Sequence, residues 1–324
     1  MKQLENKITL VTGATRGIGK GIAIGLGEAG ATVYITGRTL EDVNSPEQVG
    51  SLKATQQAVE QAGGKCIPVQ VDHSNDDQVE KLFERIKEEQ NGQLDLLVNN
   101  AFAGVQALAD VQGKPFWDCE PHLWDSINNV GLRSHYMASV FAARMMTKRR
   151  QGLICTISSW GGMSYIFGAA YGIGKAACDR MAADLAVELK PYNVTSLSLW
   201  PGIVGTETIT RLFAAVEGSN DEQPVSFGED RYNWETPLFT GRTIAALTAD
   251  PNIMNLTGRV QIVAELAQRY NIVDLDGNRP VSMRSLRFLT PFAIPVLKNY
   301  PWLVPDLKVP WFLLLLGALP SPKI

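Results

Sequence analysis

Seven short runs rich in Ile, Val and Leu constrain this 324-residue chain more than any other feature: Ile8–Thr12, Thr32–Thr36, Cys66–Val71, Leu94–Asn99, Leu153–Ser158, Val194–Trp200 and Val260–Val263. Several are continuous rather than alternating. A strand with water on one face shows every second residue polar; a continuous apolar run is buried on both faces, as in a parallel sheet. Between the runs lie stretches with helical spacing: Gly19–Ala29, Glu47–Ala62, Asp76–Gln90, a long one near His122–Thr147, and Ala176–Leu189. Parallel strands need crossovers, and right-handed crossovers place helices on both faces of the sheet. The pattern predicts a doubly wound α/β fold with about seven strands.

Two regions leave the pattern. Glu207–Thr240 is polar and mixed, and reads as a mobile insertion beside the sheet. From about Gly277 the chain carries six prolines between Pro280 and Pro310, then the apolar run Trp311–Leu319. That run is shorter than the ~20 residues a bilayer span needs. The expected organisation is therefore an α/β domain over residues 1–276 and a Pro-rich, apolar tail over 277–324.

Composition excludes several classes. A net charge of -3 and 45% hydrophobic residues suit a globular protein and offer no basic surface for nucleic acid. The run Lys148–Arg150 reads as a solvated helix end. Cys66, Cys119, Cys155 and Cys178 make no CxxC pair, and His73, His122 and His135 are scattered, so neither a disulfide framework nor a metal site is expected. The opening MKQLENKITL has no apolar signal core. An intracellular, cytoplasmic location is expected.

The segment LVTGATRGIGKGIA follows the first strand and opens the first helix. Gly13, Gly17 and Gly19 let the backbone turn and approach a pyrophosphate, which rests at the positive helix N-terminus; Thr15, Arg16 and Ile18 belong to the same loop. The second strand runs into TGRTL. Where a ribose 2′-hydroxyl would call for an acid, this chain has Arg38, and Arg16 stands in the loop. Two guanidiniums suit a 2′-phosphate, so NADP(H) is expected over NAD(H). Asp72 closes the third strand, where its carboxylate can accept from an adenine amino group. Asn99 and Ala101 close the fourth; an amide there can brace either the ribose or the neighbouring strand.

TISSWGG ends the fifth strand, and YGIGK follows at Tyr171–Lys175. Residues four apart share a helix face. A nearby ammonium favours the phenolate form of a tyrosine, which otherwise is a poor acid–base at neutral pH. The tyrosine can then exchange a proton with a substrate oxygen, while a strand-end serine hydroxyl holds that oxygen.

TGATRGIG, VDHS, NNA, INNVG, ISS, YGIGK and LWPGIVGTE, in this order over about Lys7–Ala264, resemble the short-chain dehydrogenase/reductase family. The resemblance implies a Rossmann fold and a hydride-transferring oxidoreductase. It implies that Tyr171 donates the proton in reduction, that Lys175 binds the nicotinamide ribose and tunes Tyr171, and that Asn128 holds a relay water. Pro201, Gly202, Ile203 and Thr206 would lie around the nicotinamide. The second serine of ISS usually carries the serine role, which points to Ser159. The family's common interval to the tyrosine lands instead on Ser158. Ser159 is preferred, since a strand end fixes side-chain direction better than loop length does.

There are departures. Phe102 stands where the family has glycine, and VAELAQRYN replaces a glycine-rich close after the seventh strand. Apolar candidates for the substrate wall are Phe102, Trp160, Tyr165, Phe167, Leu212 and Phe213. They suggest a hydrophobic ketone or secondary alcohol. A closer likeness to one family member, long tail included, implies a steroid- or xenobiotic-like compound. The family's habit implies a homo-oligomer, dimer or tetramer. Ala177, Met181, Leu185 and Leu189 face either a second subunit or the sheet. The tail either packs on its own domain or makes peripheral contact with a partner or the cytoplasmic face of a membrane. The alternative to an enzyme is a nucleotide-binding scaffold or sensor without turnover, against which the intact Ser–Tyr–Lys set speaks.

Overall fold

The computed structural model describes residues 2–42, 50–210 and 233–318. All seven predicted strands form one parallel sheet: β1 Ile8–Val11, β2 Thr32–Gly37, β3 Lys65–Gln70, β4 Leu96–Asn99, β5 Gly152–Ile157, β6 Val194–Trp200 and β7 Val260–Ile262. Their order is β3-β2-β1-β4-β5-β6-β7. The chain reverses direction across the sheet between β1 and β4, where Val11 stands opposite both Ile35 and Val98. That is the switch point at which such sheets bind ligands.

Strand alternation sorts the core into two layers. Val11, Val33 and Val98 join Ile22 and Leu26 of α1 (Gly17–Glu28) and Val59 of α2 (Leu52–Gln61). Leu10, Tyr34 and Leu97 join Leu82 and Ile86 of α3 (Asp76–Glu89) on the other face. Each such side chain contributes ~1.5–3 kcal/mol by leaving water. This two-sided burial is why the strands read as unbroken apolar runs.

The long helix expected near His122–Thr147 is two helices. After a short α4 (Val105–Asp110), α5 (Leu123–Asn128) and α6 (Ser134–Arg149) are joined by a wide turn over Asn129–Arg133. Val130 leaves helical geometry there, and Gly131 takes φ 150, a value open in practice to glycine. Apolar periodicity runs through the break and hides it. The helix α7 spans Ala169–Leu189. It sends Leu185 and Leu189 towards the sheet.

The stretch taken as an insertion ends in regular structure. Residues 211–232 lie outside the described part, but α8 (Pro237–Ala249) follows, with Thr236 accepting from the Phe239 amide at 3.2 Å. A capping threonine before proline marks a helix start, and that signal was in the sequence. The α8 helix lies hard against α1: a Cβ on Gly21 would fall 2.2 Å from the Pro237 carbonyl carbon, and one on Gly25 2.4 Å from that of Gly241.

Where the glycine-rich close is missing, α9 (Val263–Arg269) follows β7 directly. Its Glu265 holds Arg284 of the tail at 2.6 Å. Arg284 donates to the Val309 carbonyl at 2.9 Å and stands 5.1 Å over the Trp311 ring. Trp311 in turn packs on Trp200 at the end of β6. So the tail, with α10 (Leu286–Ala293) and α11 (Trp311–Ala318), folds back on the domain. Among the described residues, no helix is long and apolar enough to cross a membrane.

Candidate active site

A cavity of about 1090 Å³ opens at the carboxyl ends of the strands. It exceeds the usual range for a site holding one small ligand, ~300–1,000 Å³. Gly13, Thr15, Arg16, Gly17, Ile18, Gly19, Arg38, Asp72, Ala101, Ser159, Tyr171, Lys175, Pro201, Gly202, Ile203 and Thr206 all line it.

The glycine loop fits a dinucleotide. Gly13 has φ 67, and a Cβ there would fall 2.6 Å from the Ala101 Cα. A Cβ on Gly19 would fall 2.3 Å from the Gly13 carbonyl oxygen. Only bare backbone passes there, and at the α1 N-terminus, where a phosphate would rest, the Gly17 amide donates to a Glu207 carboxylate oxygen at 3.0 Å. The Thr12 hydroxyl accepts from the amides of Asn100 and Ala101 at 2.9 and 3.0 Å, and the Asn100 side chain donates to the carbonyls of Thr12 and Gly13 at 2.9 Å. These bonds clamp the loop after β1 to the end of β4.

Asn99, expected among the cofactor residues, is a correction. It does not line the cavity; its amide is fully buried and donates to Ser139 and Thr156 at 2.9 and 3.4 Å. It braces β4 against its neighbours. Asn100 faces the cleft instead. Adjacent strand residues point opposite ways, so a one-residue choice decides the matter.

At the second strand's end, Arg38 is exposed in the cavity wall. The amide and hydroxyl of Ser74 hold the Asp72 carboxyl below the usual range. His73 is buried with Nε2 2.7 Å from the Thr36 hydroxyl, and burial pushes it down to about 4.

At the chemical end, the Ser159 hydroxyl stands 2.9 Å from the Tyr171 hydroxyl. Ser159 is extended, and its oxygen accepts from the Gly161 amide, which orients it. Ser158 points away: its hydroxyl donates to the Lys175 carbonyl at 3.1 Å. Lys175 is nearly buried and donates to the Ile157 carbonyl at 3.2 Å. Asn128 is buried behind α7 rather than in the cavity wall. Its amide donates to the Ala170 carbonyl at 3.2 Å, and its carbonyl oxygen occupies the room beside Gly174, where a Cβ would come within 2.0 Å. Asp179, one turn beyond Lys175, accepts from Ser198 and from the Trp200 indole, pinning α7 to β6. Burial raises its pKa.

Of the expected substrate wall, Phe102, Trp160, Tyr165 and Phe167 line the cavity; Leu212 and Phe213 lie outside the described residues. Tyr165 and Phe167 stand exposed at the rim. The sequence reading missed Leu108, Phe116 and Trp124 from the segment after β4, and Met283 from the tail, all of which also line it. The apolar content of that segment was a usable signal; nothing local marks Met283.

The short chain dehydrogenase family model matches residues 7–217. Dehydrogenase/reductase SDR family member 1 of Mus musculus is 45% identical over 300 residues, 93% of this chain and 92% of that protein. The Homo sapiens protein of the same name is 46% identical over 278 residues, 86% of each. A 3beta-hydroxysteroid dehydrogenase of Mediterraneibacter gnavus is 32% identical over 249 residues, 75% of this chain and 82% of that one. Among solved structures, a short chain dehydrogenase of Mycobacterium thermoresistibile superposes with TM-score 0.68 at 22% identity, over 86% of this chain and 92% of that one. With matches of this extent and a parallel sheet whose strand ends carry the glycine turn and Ser159, beside Tyr171 and Lys175 of α7, the chain belongs to the short-chain dehydrogenase/reductase family.

Proposed function

We propose that the protein is an NADP(H)-dependent reductase of bulky hydrophobic ketones, or dehydrogenase of the corresponding secondary alcohols. The observation that carries this is the Ser159–Tyr171 hydroxyl pair at 2.9 Å in the wall of a large, mostly apolar cavity. A bound nicotinamide would supply the hydride that the carbonyl carbon accepts. Ser159 would hold the carbonyl oxygen by a hydrogen bond, and Tyr171 would give that oxygen its proton. Lys175, fixed by the Ile157 carbonyl, would hold the cofactor ribose and keep a positive charge beside the tyrosine. Asn128, hydrogen-bonded to the turn that leads into Tyr171, would support the relay behind it.

Arg16 and Arg38 in the cavity wall support a 2′-phosphate, and so NADP(H) over NAD(H). The aromatic wall and the similarity to a 3beta-hydroxysteroid dehydrogenase favour a steroid- or xenobiotic-like substrate. Ile173 and Val187, apolar and exposed on α7, suit burial in a homo-oligomer. Trp302, Leu303, Phe312 and Leu316 are exposed on the tail and suit peripheral contact with a membrane.

The test is a titration with NADPH and NADH followed by nicotinamide fluorescence, then a panel of hydrophobic ketones. Tight NADPH binding with loss of signal on one ketone supports the reading. Binding without turnover across the panel favours a nucleotide-binding scaffold.

A further inference from the structure

Phe102 directly follows the clamp at the end of β4, half-buried in the cavity wall. Three sets of contacts converge on its ring. The Lys175 ammonium lies 5.1 Å from the ring centroid. The Tyr171 ring lies 6.0 Å away at 78°, a T-shaped pair. Two glycines make the room: a Cβ on Gly131 would fall 2.7 Å from Phe102 Cδ2, and one on Gly104 2.9 Å from its Cζ. Gly131 is, with Val130, where the chain leaves helical geometry between α5 and α6. The break in that helix thus forms one side of a slot, and the phenyl ring fills it.

The chemistry of the slot is specific to an aromatic residue. Lys175 is only 8% exposed, so water solvates its ammonium poorly. The negative face of a ring attracts such a cation, and the attraction grows as water is excluded. An aliphatic side chain of similar bulk fills the slot without supplying that field. The same ring limits tilt of the Tyr171 ring, whose hydroxyl must stay within reach of Ser159.

We propose that Phe102 is a positioning residue for the proton-transfer pair: its ring seats the Lys175 ammonium and braces the Tyr171 ring, and so sets where the charge stands relative to the tyrosine oxygen. This rests on the reading of Tyr171 and Lys175 as the reacting pair.

Two replacements test it: Phe102→Leu, which keeps apolar bulk, and 3,5-difluorophenylalanine at position 102, which keeps the ring, adds nothing at Cζ beside Gly104, and weakens the field of the face. Phe102→Leu should lower kcat for ketone reduction roughly tenfold, with KM and the NADPH Kd within about threefold of wild type. The fluorinated ring should lower kcat severalfold. A second readout needs no turnover. In lysine-labelled protein the ring should shift the Lys175 ε-methylene resonance upfield, and Phe102→Leu should reduce that shift to the part supplied by the Tyr171 ring, whose centroid is 5.7 Å from the ammonium. Wild-type kcat in Phe102→Leu, or with the fluorinated ring, would overturn the proposal. So would a Lys175 resonance that Phe102→Leu does not move. If wild type reduces no ketone while the resonance shifts as expected, the seating of Lys175 stands and the reductase reading falls. If Phe102→Leu does not fold, the fluorinated variant decides, since it keeps the aromatic ring in the slot and exchanges only two edge hydrogens for fluorine.

Discussion

The Glu235 carboxyl accepts the backbone amide of Gly202 at 3.0 Å, directly beneath the turn that leads to Ile203 and Thr206. Glu235 is 2% exposed, and its second oxygen has no hydrogen-bond partner among the described residues. Burial, with the charge of Asp274 adding to it, raises the carboxyl from 4.5 to about 8. The folded protein thus keeps a proton that the unfolded chain releases. Between those two values the folded state binds more protons, so stability falls as pH rises through the window and levels off above it. Glu235→Gln removes the titration and keeps an acceptor for Gly202. Its melting temperature should drop less than wild type's between about pH 5 and pH 8.5, as thermal unfolding at several pH values will show. Parallel curves would mean that Glu235 is ionised in the fold.

Tyr171→Phe should abolish turnover while the NADPH Kd stays within about threefold, because it removes the proton-bearing hydroxyl and keeps the ring. Ser159→Ala should cost roughly 10²–10³ in kcat. Ser158→Ala should leave kcat within about threefold, since its hydroxyl serves the Lys175 carbonyl. Steady-state kinetics on the two serine variants separates them. The reverse ranking would move the substrate oxygen to Ser158.

Arg38→Asp should weaken NADPH binding by roughly 10–100-fold and leave NADH binding level or improved, because a carboxylate repels a 2′-phosphate and accepts from a ribose hydroxyl. Fluorescence titration of both cofactors reads this. An unchanged NADPH Kd would remove Arg38 from the site.

Trp311 reaches the cavity through two rings. It packs T-shaped on Trp200, and Trp200 on Trp160, each with centroids 5.8 Å apart; Trp160 lines the cavity. Trp311→Ala should cost ~1–3 kcal/mol in stability from the lost ring pair and the Arg284 contact. It should raise KM for a bulky ketone severalfold and leave the NADPH Kd unchanged. Chemical denaturation and kinetics together check both parts.

Gly25→Ala should destabilise by ~1–3 kcal/mol, because the added methyl meets the backbone of α8 at Gly241 rather than a side chain able to move. A helix-interior Gly→Ala change is otherwise mildly stabilising, so the sign alone decides.

The fold was legible because burial on both faces leaves a record in every strand: Leu96, Leu97 and Val98 are all apolar because α-helices cover both sides of β4. The glycine loop was legible because a residue without Cβ is the only answer to a 2.3 Å approach at Gly19. The Tyr171–Lys175 spacing was legible as one helix face. Other features belonged to the tertiary structure. Asn99 and Asn100 are the same residue type one step apart, and only the pleat sends one to Ser139 and the other to the glycine loop. Ser158 and Ser159 differ likewise, and backbone geometry turned the second towards Tyr171. The break at Gly131 was hidden by apolar periodicity that continues through it. Met283 and Trp311 reach the site from more than a hundred residues beyond Tyr171, a distance over which local sequence carries no information. Local chemistry specifies elements and the reactive groups at their ends; which groups meet depends on packing between segments far apart in the chain.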